Sequence, residues 1–537
     1  MRDQNLWYKN AIIYQIYPRS FYDSNGDGYG DFNGIIQKLD YLTTLGVDCI
    51  WLMPMYKSPL KDDGYDISDF CSVYEPFGTV EDLRRLFAEV HQRGMRVITD
   101  LVLNHCSDQH FWFQEARKDR NSKYRDYFVW NDTDKKFPET RIIFVDSQES
   151  NWTWDAVAGQ YYWHRFYPSQ PDLNYDNPEV REAMKNVMRY WLDMGIDGFR
   201  ADAVPYLFER EGTINENLPE THAYLKELRK MMDTEYPGTV MLCEANQWPE
   251  DVREYFGDGD EFQLGFHFPL MPRIFMSIGK QDAGSLVKIM QATPEIPENC
   301  QWCTFLRNHD ELTLEMVTEE DRQWMWNFYA PDPAMRMNLG IRRRLYPLLE
   351  NDRAKIGLAY SLMFTIPGSP VLYYGDEIGM GDDITQFDRN GVRTPMQWDD
   401  SQNGGFSDAD TTYLPVITDS VYGYRHVNVQ KQEKDGASNL NWLRNLIRIR
   451  KSSPALGYGG ISWITTGDRV PVLVYKRATA DDCVIVFHNL TGDPQEISVD
   501  LTQGSYQDLI VPSIRYEGGA GKTVKLAPRQ FLWLRKE

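Results

Sequence analysis

The chain has 537 residues, a formal charge of −22 from 57 basic against 79 acidic residues, and 14% aromatic residues. Nothing concentrates enough cations to neutralise phosphates, so a nucleic-acid partner is excluded, and no apolar run is long enough to span a membrane. The expected partner is a neutral small molecule, and the seven cysteines, odd in number and scattered, point to reduced thiols in the cytoplasm.

The start, Met1-Arg2-Asp3-Gln4, lacks the basic-then-apolar layout of a signal peptide. A first strand is expected over 11–17, then a helix through Ile35, Leu39, Leu42 and Leu45 that Gly46 closes, then a second strand over 47–52. Thr79-x-x-Asp82 reads as a capping box opening a helix through Leu83, Leu86, Phe87 and Val90, and a third strand follows over 96–102. Strand, helix, strand, helix at this spacing means a parallel sheet with crossover helices. The pattern then breaks. Residues 106–171 are polar, irregular and rich in tryptophan (Trp112, Trp130, Trp152, Trp154, Trp163), too long for a connecting loop and so expected to be an inserted subdomain.

The repeat resumes at Asn177-Pro178, a helix cap followed by proline at the first helical position. Strand four runs to Asp202, and strands five to eight are expected over 239–244, 262–268, 303–307 and 370–374. Eight such strands make an α/β fold, a (β/α)8 TIM barrel, whose active face is where the strands end. Its last helix is expected over 439–451. Beyond it the period changes to two, with strands at 472–475, 483–487, 497–501 and 531–534, the mark of a small antiparallel β domain. The expected organisation is 1–105 and 172–456 for the barrel, 106–171 for the insert and 457–537 for the C-terminal domain. Cys300-x-x-Cys303 has neither a thioredoxin-like context nor a second pair, so no redox or zinc site is expected there.

Three carboxylates emerge from the active face. Asp202 ends strand four, Glu244 ends strand five, and Asp310 follows strand seven. Consecutive strand ends are neighbours, so Asp202 and Glu244 should face each other, and carboxyls about 5–5.5 Å apart suit a retaining glycosidic mechanism. Arg200, two residues before Asp202 on the same strand, points to the same side and should hold it ionised. His105 and His309, both at strand ends, are candidates for sugar hydroxyls.

Asp100-Leu101-Val102-Leu103-Asn104-His105, Gly198-Phe199-Arg200-Ala201-Asp202, Glu244 and Asn308-His309-Asp310 together resemble the signature regions of the α-amylase superfamily, glycoside hydrolase family thirteen. Gln170-Pro171-Asp172-Leu173-Asn174 is similar to an extra region in its oligo-1,6-glucosidase-like branch. The resemblance covers nearly the whole chain. It implies Asp202 as nucleophile, Glu244 as general acid/base and Asp310 as the carboxylate that grips sugar hydroxyls. It implies Asp66 as holder of the terminal glucose with Tyr65 stacked on it, and Tyr65, Asp66, His105, Gln170, Arg200, His309 and Arg393 as the substrate-binding set.

A narrower resemblance, carried by Arg210-Glu211-Gly212-Thr213, Asn215 to His222, Asp310-Glu311-Leu312-Thr313-Leu314-Glu315, Phe328 to Pro333 and Gly391 to Trp398, is to the family members that interconvert maltose and trehalose. It implies transfer within the closed site, with some hydrolysis to glucose and with the insert and the loops 211–222 and 315–320 as the lid. An exo α-glucosidase, an oligo-1,6-glucosidase and a sucrose isomerase-type enzyme share the same machinery and stay open, as does a catalytically inactive sugar-binding member. Monomer and homo-oligomer are both left open.

Asp23-Ser24-Asn25-Gly26-Asp27-Gly28-Tyr29-Gly30-Asp31 presents oxygens at alternate positions, but Gly34 stands where the bidentate glutamate of an EF-hand would be. The resemblance implies structural calcium there, on Asp23, Asn25, Asp27, the Tyr29 carbonyl and Asp31. It implies a second ion on Asn104, Asp172, Glu209 and the carbonyls of Tyr206 and Leu207. No organic cofactor is expected, because the acidic side chains between Gly26, Gly28 and Gly30 would repel a pyrophosphate.

Overall fold

The computed structural model describes residues 4–537, so residues 1–3, on which part of the signal-peptide expectation rests, lie outside the described residues. Eight parallel strands close a barrel: β1 (Ile13–Ile16), β2 (Cys49–Leu52), β3 (Arg96–Val102), β4 (Gly198–Asp202), β5 (Val240–Cys243), β6 (Leu264–Phe266), β7 (Gln301–Phe305) and β8 (Ser369–Tyr373). They pair in chain order around the ring, and β8 closes on β1. Nearly every strand residue is buried, since one face fills the barrel and the other lies under the helices.

The helices form for the local reasons the sequence offers. In α1 (Val80–Gln92), the Thr79 hydroxyl accepts from the Asp82 amide and the Asp82 carboxylate accepts from the Thr79 amide, a reciprocal cap. In α2 (Pro178–Asp193), Asn177 accepts from the Glu179 amide, while Val180, Met184, Val187, Met188 and Trp191 turn inward. Gly198 opens β4 at φ +149°, where a Cβ would collide with the Val240 carbonyl of β5, so only glycine lets the two strands approach.

Between β3 and β4 the chain builds a three-stranded antiparallel sheet of Trp130–Asn131, Gln160–Trp163 and Trp152–Asp155, over a small core of Phe137, Trp152 and Trp163. A second excursion, between β7 and β8, carries a short three-stranded sheet, α3 (Glu319–Tyr329) and α4 (Arg353–Thr365).

After α5 (Asn439–Lys451), six antiparallel strands form one sheet: β9 (Gly460–Trp463), β10 (Val472–Ala478), β11 (Cys483–Asn489), β12 (Gln495–Asp508), β13 (Arg515–Leu526) and β14 (Phe531–Lys536), in the order β9-β10-β11-β14-β12-β13. It docks on α4 through buried polar contacts. Ser361 meets the His488 ring and the Trp533 indole, each at 2.8 Å, and Thr365 meets the Tyr475 hydroxyl. Among the described residues, all seven cysteines are free and no helix is long and apolar enough to cross a membrane.

Candidate active site

The register between strands assembles the centre. Asp100 of β3 lies beside Arg200 of β4, and Leu242 of β5 lies on its other side. Alternation along β4 then sends Arg200 and Asp202 to the same face, and Glu244 follows β5 one residue past its last pair. The Arg200 guanidinium, fully buried, touches three carboxylates at once: Asp100, Asp202 at 2.6 Å and Glu244. One planar cation therefore holds the two strand-end carboxyls on either side of itself. Burial opposes its charge, but Glu244, Asp100 and Asp202 outweigh burial and hold it protonated. Burial pushes the Asp202 carboxyl well up, against Arg200, and Glu244 adds to the push from within hydrogen-bonding reach. Glycosyl transfer needs one carboxylate and one acid from such a pair of carboxyls. Ala203, next after the nucleophile candidate, is held at φ +52°, and its amide donates to Glu244 at 3.3 Å.

Asp310 sits across the same cavity. Burial works against its charge, but His309, Arg389 and Arg393 outweigh it and hold the carboxyl well below its ordinary value. The Gln15 amide donates to His309 Nδ1, which leaves Nε2–H to face Asp310 at 3.0 Å and the Tyr65 hydroxyl at 2.8 Å. Burial lowers the His309 pKa, against the charge and hydrogen bond of Asp310. The Tyr65 ring stacks on His309 at 5.6 Å.

The cavity is about 140 Å3. Asp202, Glu244, Asp310, Tyr65 and His105 all line it. Burial lowers the His105 pKa to about 3. Gln170 lies just behind, donating to Asp62 and meeting His105.

Two of the expected substrate contacts fall elsewhere. The Asp66 carboxylate points away from the cavity and accepts from the Ser58 hydroxyl and the amides of Lys61 and Asp62, so it ties the loop together. The aspartate that lines the cavity is Asp62, paired with Arg389 at 3.0 Å. Residues 62 and 66 lie on opposite sides of a tight turn at Asp63 and Gly64 (φ +47° and +105°), and turn geometry, not spacing, decides which one faces inward. Likewise Arg393 stands behind the cavity wall, donating to the His309 carbonyl and pairing with Asp63, while Arg389 lines the cavity and pairs with Asp310 at 2.7 Å. The sequence reading also missed Phe144, Phe166, Asn246, Phe268, Asn308, Glu311, Thr313 and Glu315 of the lining.

The insert closes over this centre. Arg141 pairs with Glu216 at 2.8 Å and Glu315 at 3.0 Å and donates to the Tyr206 hydroxyl, and Arg165 adds a second pair to Glu216. Asp146 accepts from the Asn338 amide, and Asn338 in turn donates to Glu311. One cation of the insert thus holds both barrel loops, 211–222 and 315–320.

The two calcium loops differ. Asn104 Oδ1, Asp172 Oδ2 and Glu209 Oε1 are buried with no partner. Burial pushes Asp172 up to about 8, and Glu209 is raised by burial and by Asp172 beside it. Two buried carboxylates and an amide oxygen, all unsatisfied, are the chemistry of a hard-cation site, and they fit calcium. Tyr206 and Leu207 lie in the turn between them. In the 23–31 loop, by contrast, Asp23 accepts from the amides of Asn25, Gly26 and Gly28, and Asp31 accepts from Ser24 and caps the next helix at Gly34. That loop satisfies its own oxygens, and among the described residues no three His, Cys, Asp or Glu gather as a metal cluster.

The α-amylase catalytic-domain family model matches residues 15–330 and 342–459. The chain belongs to the α-amylase family. Within the α-amylase family, it is 56% identical over 512 residues to a trehalose synthase/amylase TreS from Mycolicibacterium smegmatis, covering 93% of this chain and 86% of that one. It is 52% identical to a trehalose synthase from Pimelobacter, over 92% and 89%, and 32% identical to an oligo-1,6-glucosidase from Bacillus cereus, over 98% and 99%. Among solved α-amylase-family structures, a trehalulose synthase MutB from Pseudomonas mesoacidophila superposes with a TM-score of 0.78 at 30% identity, over 99% of both chains.

Proposed function

We propose that this protein interconverts maltose and trehalose by intramolecular glucosyl transfer through a covalent glucosyl-enzyme. Glu244 gives its proton to the bridging oxygen of maltose as Asp202 attacks C1, and the C1–O bond breaks. Glucose leaves the bond but stays in the cavity and turns over. Its anomeric hydroxyl then gives a proton to Glu244 and attacks C1, releasing Asp202. Two inversions leave an α,α-1,1 linkage. Asp62 and Arg389, together with Asp310 and His309, supply acceptors and donors for the hydroxyls of the transferred ring.

The observation that carries this reading is the Arg141 clamp, which ties the insert to both barrel loops over the carboxylates, because transfer to glucose rather than water needs solvent kept out while the ring turns. The strong likeness to trehalose synthases supports it, and the more distant likeness to oligo-1,6-glucosidases leaves an exo α-glucosidase as the alternative. Maltose incubated with the purified protein should yield trehalose in excess over glucose. Mostly glucose would overturn the proposal.

The clamp makes a further prediction. Half-exposed ion pairs contribute about 0.2–1 kcal/mol each, so losing the three contacts of Arg141, about 0.6–3 kcal/mol together, should raise the open population by a factor between about 3 and about 150. Arg141→Ala should raise glucose released per trehalose formed by the same factor, read by chromatography of the products, with little change in total maltose consumed.

Calcium at Asn104, Asp172 and Glu209 is part of this proposal, and the ion would brace the loop after β4 beside the cavity. An ion bound at a hundred times its dissociation constant adds about 2.7 kcal/mol, so chelation should lower the melting temperature of a chain this long by roughly 2–3 °C. Asp172→Asn should abolish that sensitivity. An unchanged melt in excess chelator would remove calcium from the account. The 23–31 loop is included as a second, self-satisfied place for the ion. The free thiols and the neutral disaccharide substrates suit work in the cytoplasm.

A further inference from the structure

The run Arg342-Arg343-Arg344 lines no part of the catalytic cavity, yet all three side chains reach the loop that follows β8. The run starts from a fixed base. The two-residue strand before it, Gly340–Ile341, pairs with Arg336–Met337 on one side and with Leu312–Thr313, just past Asp310, on the other. From there the arginines grip the loop from root to tip. Arg344 donates to the Tyr374 carbonyl at 2.8 Å and pairs with Asp376 at 3.1 Å. Arg343 pairs with Asp382 at 2.9 Å. Arg342 takes the stretch beyond, donating to the carbonyls of Ile384 at 3.2 Å, Gln386 at 2.9 Å and Asp388, while its Nε donates to the Ala334 carbonyl at 2.8 Å.

That stretch has little else to fix it. Residues 382–388 form neither helix nor strand, so their carbonyls join no ladder. Phe387 is 86% exposed, so burial does not anchor them. Asp388 is held at φ +50°, a conformation that costs a non-glycine residue energy and persists only where the surroundings impose it. The next residue is Arg389, buried between Asp62 at 3.0 Å and Asp310 at 2.7 Å. Where the backbone of 384–388 goes, that guanidinium goes with it. Carbonyls on alternate residues suit the planar fork of an arginine, whose donors point apart, and do not suit the single point of an ammonium.

We propose that Arg342 is a positioning residue for glucosyl transfer: its grip on the carbonyls of residues 384, 386 and 388 sets the Arg389 guanidinium between Asp62 and Asp310. It touches neither the sugar nor the reacting atoms. The proposal rests on the placing of the transferred ring by Asp62 and Arg389, and not on whether glucose or water receives that ring.

Fluoride release from α-glucosyl fluoride by the full chain tests it, because that signal ignores the acceptor and the good leaving group keeps slow variants measurable. Arg342→Ala should raise KM about tenfold and leave kcat within about twofold, the mark of contacts made equally to substrate and transition state. Arg342→Lys, which keeps the charge and loses the fork, should raise KM by the same order, and it serves if the alanine variant is unstable. In a protein already carrying Arg389→Ala, neither substitution should cost more than about twofold, because the group they position is gone. Arg336→Ala, which removes a bond to the Ala330 carbonyl internal to the same excursion, should match the parent. A parental KM in both Arg342 variants, or an undiminished cost in the Arg389→Ala background, overturns the proposal. Parental kinetics in Arg389→Ala itself would fault the ring contacts and take this proposal with them. Glucose in place of trehalose as the product of maltose faults the transfer reading alone.

Discussion

Replacing Asp202 with alanine should lower maltose turnover by about 10^4-fold or more, because no other ionised oxygen stands on the far side of C1 to take the glucosyl group. Glu244 is tied to the same guanidinium and is engaged as the acid, and Asp310 is held by Arg389 and Arg393 across the cavity. The variant should still fold. Arg200 keeps Asp100 and Glu244 as partners, so no buried cation is stranded. The decisive readout is rescue. Azide fits the space left by a carboxylate and carries its charge. It should attack C1 from the vacated side as Glu244 protonates the leaving oxygen, and the product should be β-glucosyl azide, with inverted configuration. Substantial residual turnover without azide, or an α-azide, would remove Asp202 from the nucleophile role.

The barrel was legible because its strands are short, apolar and separated by helices with clear caps, and burial on both faces leaves no other way to write them. Asp202 and Glu244 were legible for a related reason. They are polar residues where an apolar strand stops, and strand register fixes where such residues meet. Legibility ended where the chain leaves the register. Asp62 and Asp66 differ by one turn, and the φ values of Asp63 and Gly64 that settle the choice leave only a faint mark in sequence, an Asp-Asp-Gly run. Arg389 and Arg393 both follow β8 in a loop with no periodic signal. β13 was invisible because Arg515 to Lys525 is mostly exposed and polar, a hairpin arm held by backbone pairing to β12 and not by burial. The oxygen set at Asn104, Asp172 and Glu209 has no spacing that marks it. It came from likeness alone, and only three-dimensional placement reveals that its oxygens lack partners.

Glu244→Gln should separate the two half-reactions. Amide nitrogen cannot protonate the bridging oxygen, so maltose turnover should fall by about 10^2- to 10^4-fold, the usual worth of a positioned general acid. A substrate whose leaving group needs no proton, such as α-glucosyl fluoride, should still glucosylate Asp202. The second step then stalls, because no base remains to deprotonate the incoming hydroxyl, and mass spectrometry should find the glucosyl-enzyme accumulating. The substitution also changes the charge beside Asp202. Burial and the Glu244 carboxyl both raise the Asp202 pKa, and Arg200 lowers it. Taking away the neighbouring acid leaves Arg200 to act with one opponent fewer, so the Asp202 pKa should drop and the nucleophile should stay ionised to lower pH. The acid limb of the fluoride reaction should therefore move down in pH relative to the parent. An acid limb that stays in place, with maltose turnover intact, would mean that Glu244 neither acts as the acid nor raises the Asp202 pKa.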